Sequence, residues 1–163
     1  MNGLSSFPVE PTDADEAQVV ADDWFPPVAL ARVRTLAQLG GEITTDQLTL
    51  AIEGAMLSAF RPLKDWRSAR ASAGAAALAD VTTDQLNRRN VAEVLWERAV
   101  AYYAKADLFS DNAEISATDK GMDRSEEKAC MADEARREAY AALADLLSIG
   151  EAEPVQRNRV VML

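Results

Sequence analysis

The sequence predicts an all-α fold: a compact bundle of about four main helices around a central helix near residues 90–109, with an extended N-terminal arm and a C-terminal tail. Three observations carry this. Ala, Leu, Glu and Arg are abundant against 7 Gly and 6 Pro, a composition that favours helix. From Val91 to Phe109, apolar residues recur at Val91, Leu95, Ala99, Tyr102, Ala106 and Phe109, spaced by three and four. Val94, Trp96, Val100 and Tyr103 widen that stripe, so this helix must be covered from more than one side. At ~1.5 Å per residue it spans roughly 28 Å, about the width of a small domain.

The length of 163 residues fits one domain with a core that needs no covalent staples. It divides into an acidic arm (1–23), a helical domain (24–150) and a tail (151–163). The net charge of −10 opposes free binding to nucleic acid, which depends on attraction to phosphate, but it leaves room for a locally basic surface. The absence of His removes Ser-His-Asp and Cys-His catalysis, HExxH zinc sites and the Glu-x-x-His di-iron pattern. Cys130 has no second thiol for a disulfide or a zinc site and reads as a small helix residue. There is no Gly-rich phosphate loop. No catalytic, cofactor-binding or metal residue is assigned. With no twenty-residue apolar run and no basic-then-apolar leader, the expectation is a soluble, unsecreted chain with no membrane partner.

Residues 1–23 carry Glu10, Asp13, Asp15, Glu16, Asp22 and Asp23 without one Lys or Arg, and Pro8 and Pro11 break any regular element. They read as a solubilising tail or a partner-binding arm. Trp24 and Phe25 then pack under the first turn of a helix over Val28 to Leu39, with Pro26 and Pro27 at its start and Gly40-Gly41 as its stop. Thr44 and Gln47 have capping-box spacing for the next helix, whose buried stripe is Leu48, Ile52, Ala55, Ala59, Leu63 and Trp66. Pro62 should kink or split it. Arg61, Lys64, Arg67 and Arg70 follow at intervals of three with only Asp65 between them. That patch is either a solvated face or a face toward DNA or an acidic partner.

Ser72 to Gln85 reads as a loop or broken turn, and Asn90 as the cap of the central helix. Ser110 to Gly121 is a polar connection of functional length. Arg124 to Ser148 forms the last helix, with Ala132, Ala135, Ala139, Leu143 and Leu146 facing inward and Gly150 ending it. The tail places Arg157 and Arg159 before Val160, Val161, Met162 and Leu163. An apolar end of this kind is costly to leave in water, so it docks on its own domain or on a neighbour. On the residues alone this is a helical domain built for interaction. Two other classes stay open: a DNA-packaging or regulatory protein with a helix-turn-helix around Gly40-Gly41, and an acidic partner-binding module.

An ordered series of residues spans Trp24 to Leu163. It runs from Trp24-Phe25-Pro26 through Gly41, Ile43-Thr44, Leu48, Ala51, Ala55 and Asp65-Trp66-Arg67 to Gly74 and Leu78. Leu95-Trp96-Glu97-Arg98-Ala99-Val100 and Ala104-Lys105-Ala106-Asp107-Leu108 are its most telling part. Asp111, Thr118, Gly121, Asp133, Arg136-Arg137, Ala142, Asp145-Leu146, Gly150, Arg157 and Val160-Val161-Met162-Leu163 complete it. In this series the chain resembles the phage head completion protein family (GPL) of tailed bacteriophages. Trp96 stands where Tyr is expected, and the chain closes on Met-Leu where Leu-Ile is more usual.

The resemblance implies a structural virion protein without catalysis or cofactor: a head–tail connector subunit that joins the DNA-filled capsid beneath the portal. It implies as partners the portal ring, neighbouring copies in a twelvefold ring, and a downstream neck or tail-completion protein. Packaged DNA lies nearby without sequence-specific binding. Assembly in the host cytoplasm and a final place in the virion neck follow.

Overall fold

Extended backbone, and not helix, follows the Trp24-Phe25-Pro26-Pro27 entry in the computed structural model, which describes residues 17–111 and 119–156. Strand β1 (Gln18–Val19) pairs antiparallel with β2 (Val28–Ala29). The Leu30 N–H donates to the Ala17 carbonyl at 3.0 Å. This pairing holds the chain extended through Ala29, so α1 is Leu30–Ala37 and starts two residues later than expected. The prolines precede a strand instead of opening the helix. The stop also differs. Gln38 adopts the left-handed conformation (φ 55°) and the Leu39 N–H returns to the Arg34 carbonyl, before the Gly40-Gly41 pair is reached.

Helix α2 (Thr45–Ser72) begins at the expected capping box, with the Thr44 hydroxyl and the Gln47 side chain each satisfying the other's backbone N–H. The expected stripe, Leu48, Ile52, Ala55, Ala59, Leu63 and Trp66, is buried throughout. Pro62 neither splits nor ends the helix, which is continuous over all 28 residues. A proline inside a helix costs about 3 kcal/mol. Burial of Ala59 and Leu63 on either side of it holds the rod together against that cost.

The stretch read as loop contains a 3-10 turn, Leu78–Val81, and a small hairpin of β3 (Gln85–Leu86) and β4 (Arg89–Asn90). Asn87 and Arg88 form its two-residue turn, both with positive φ (50° and 64°), the twist that suits tight hairpins. Asn90 caps α3 (Val91–Asp111): its side-chain oxygen accepts from the Ala92 N–H at 2.9 Å.

As expected, α3 is central and packs on α1, α2 and α4. Its burial is only partly that of the expected stripe. Ala99 and Ala106 of the stripe are buried, but Val91, Leu95, Tyr102 and Phe109 are only partly covered, while Ala92, Trp96, Val100 and Ala104 beside it are fully buried. Helix α4 (Asp119–Leu147) starts five residues before Arg124, so residues 119–121 of the expected connection are helical. Its inward series Ala132, Ala135, Ala139, Leu143 and Leu146 is buried as expected. The four helices make an all-α bundle, and each two-stranded ladder is an accessory.

Aromatic rings fill the space between α2 and α3. Phe25 stacks on Trp96 with centroids 4.3 Å apart and also meets Phe60 and Trp24. Trp24 and Phe25 therefore find their ring partners on α2 and α3. Each indole N–H is used to hold a segment outside the helices. Trp24 donates to the Ala75 carbonyl, Trp66 to Ile149 and Trp96 to Pro26, all at 3.2–3.3 Å.

Candidate partner-binding surfaces

The four cations of α2 do not form one free face. Arg67 is half-buried, donates to Asp22 at 2.6 Å and lies over the rings of Trp24 and Phe25. Asp22 in turn accepts from the backbone N–H groups of Trp24 and Phe25, both at 2.9 Å. Burial works to raise the Asp22 pKa. The Phe25 N–H, the Arg67 side chain and the Trp24 N–H together outweigh it and hold the carboxyl below its ordinary value of 3.8. Arg70 pairs with Glu151 and covers the Trp66 ring. Gly150 has φ +78°, a left-handed backbone that favours glycine at this turn, and the Arg70 guanidinium packs where a Cβ would stand.

Arg61 and Lys64 differ from these two. Both are exposed, and neither makes an ion pair among the described residues. They continue a strip on the outer side of α2. Leu50 and Leu57, two turns apart, are 68% and 70% exposed and lie on the side opposite the Leu48 stripe. Sequence reading passed over these two leucines because a single inward stripe already accounted for α2. Their seven-residue spacing, out of phase with Leu48 and Ile52, was the available signal.

A groove of about 910 Å³ runs between the second half of α2 and the stretch 151–156. Pro62, Trp66, Leu147 and Val155 give it apolar lining, Arg61 borders it, and Asp65 and Glu153 add carboxylates. A smaller one of about 410 Å³, bordered by Asp22, Phe60, Lys64 and Arg67, lies on another side of the same helix. Arg61 and Lys64 thus border different concavities. The tail residues Arg157, Arg159, Val160, Val161, Met162 and Leu163 lie outside the described residues, as do residues 1–16 of the arm.

Among the described residues no three His, Cys, Asp or Glu side chains are grouped to hold a metal ion, and no helix is long and apolar enough to cross a membrane. Cys130 is exposed on α4. The helix after Gly40-Gly41 is long, and its first turn carries Asp46, which does not suit the helix-turn-helix expectation.

An exposed apolar strip and an apolar groove are the kinds of surface that meet partners. The chain is a member of the phage head completion protein (GPL) family, whose model matches residues 19–153. It is similar to the head completion/stabilization protein of Escherichia phage P2, at 26% identity over 121 residues, covering 74% of this chain and 72% of that one. No solved structure matches.

Proposed function

We propose that this head completion protein is a non-catalytic connector subunit that binds beneath the portal once DNA is packaged. There it helps retain the DNA and offers the attachment surface for neck or tail. The family match carries the reading, because it runs from Val19 in β1 through all four helices to Glu153 in the groove wall. The surfaces support it. A ring subunit repeats a head-to-tail contact and needs two different faces per copy. The Leu50–Leu57 strip with Arg61 and Lys64 is one such face, and the groove beside residues 151–156 is another.

In this reading copies follow the portal's twelvefold symmetry. Arg157, Arg159 and the apolar residues Val160 to Leu163 reach the portal or the adjacent subunit. Arg61 and Lys64 face the channel or an acidic partner, while Arg67 and Arg70 hold the face in shape through Asp22 and Glu151. DNA passes nearby without sequence-specific contact. Assembly takes place in the host cytoplasm and ends in the virion neck.

Electron microscopy of the protein mixed with its cognate portal, or with DNA-filled tailless heads, tests this. The expected result is a ring of added density at the portal's outer end. Absence of added density with folded protein would sink the connector reading.

A further inference from the structure

We propose that the groove between α2 and residues 151–156 receives the C-terminal tail of a second copy of this chain. The second copy is taken from the ring reading above; the match of groove and tail does not depend on it.

The chemistry of the two parts is complementary. The tail carries Arg157 and Arg159 and no acid, then Val160-Val161-Met162-Leu163. The groove offers Asp65 and Glu153, neither in an ion pair among the described residues, over a floor of Pro62, Trp66, Leu147 and Val155.

The occupant is a second copy because residues 151–156 are themselves one wall. The chain's own continuation begins at the lip beside Gln156. To enter, it would have to reverse within Arg157 to Arg159, which removes those arginines from the carboxylates. A tail arriving from outside has no such turn to make. Donor tail and acceptor groove are different surfaces of each copy, so the contact is head-to-tail.

A fluorescein-labelled peptide of Gln156 to Leu163, titrated into the full chain, reads the contact by anisotropy. Saturable binding is expected. Asp65→Lys should weaken it about tenfold, Ala69→Arg should abolish it, and the remote Glu126→Lys should leave it unchanged, with circular dichroism showing all three folded. No saturable binding to the full chain overturns the proposal.

A photo-crosslinking residue at Val161 of the full chain then locates the tail. Isotopically light and heavy copies are mixed above the peptide's Kd. Light-to-heavy links into the Arg61–Ala69 segment are expected. Links confined to single copies, or links elsewhere, overturn it. Failed peptide binding alongside a ring on the portal rejects this contact and leaves the connector reading standing; peptide binding without a ring does the reverse.

Discussion

Asp22 and Arg67 lie 45 positions apart in the chain and meet at 2.6 Å, where the end of the N-terminal segment is fastened to α2. The carboxylate also takes the Trp24 and Phe25 N–H groups, so it fixes the turn that delivers both rings to the core. Asp22→Ala should cost about 1–2 kcal/mol at neutral pH, in the manner of a lost cap. The folded-state pKa is depressed, so the stabilisation is present above 3.8 and is lost as pH falls through the lower, folded value. Urea melts of wild type and variant should therefore differ at neutral pH and converge well below 3.8. A constant difference across that range would show that the charge is not involved.

Tyr103 of α3 and Tyr140 of α4 pack edge to face with centroids 5.8 Å apart. Burial, then Tyr140 and Asp107, push the Tyr103 phenol well above its ordinary value of 10.0. The neutral form is the one that folding favours. Its contribution is complete below pH 10 and declines as pH rises from there toward the folded value. Thermal melts taken across that range should show wild type losing stability and Tyr103→Phe losing less. Parallel losses would exclude Tyr103 as the source.

Two positive-φ positions are held by residues with side chains that disfavour them, Gln38 at the end of α1 and Arg88 in the hairpin turn. Glycine removes the left-handed strain, offset in part by its greater freedom in the unfolded chain. Each of Gln38→Gly and Arg88→Gly should stabilise by up to about 1 kcal/mol, raising Tm by about 2–4 °C. Differential scanning calorimetry of the single variants checks this, and an unchanged or lower Tm would count against it.

Leu50 and Leu57 are 68% and 70% exposed in the isolated chain, so Leu50→Glu and Leu57→Glu should alter its stability by no more than about 0.5 kcal/mol. The double variant should still melt as wild type yet fail to add density to the portal. Normal addition would remove this strip from the proposed interface.

How much the sequence disclosed varied from helix to helix. The inward rows of α2 and α4 were legible because Leu48, Ile52 and Ala55, or Ala135, Ala139 and Leu143, alternate with polar residues at helical spacing. On α3 the same signal fails. That helix is apolar nearly all round, and periodicity cannot choose between the Val91–Leu95 side and the Ala92–Trp96 side when α1, α2 and α4 all press on it.

The two-residue ladders are too short to show alternation, and β1 exists because of its partner at Val28–Ala29, not because of its own residues. Of the candidate basic face, the spacing of the cations could be read. That Arg67 and Arg70 are occupied depends on Asp22 and Glu151, 45 and 81 positions distant, and no local pattern reports that. The groove joins two stretches equally remote in sequence.

The bond from the Trp66 indole to the Ile149 carbonyl has a mechanical meaning. The stretch beyond Gly150 hangs from a point anchored directly on α2, and Arg70 grips Glu151 one residue past the turn. Tension on the stretch just past Gly150 is thus passed to α2, and through Trp66 and Trp24 to the aromatic cluster. A subunit held by its tail would bear load as a single body.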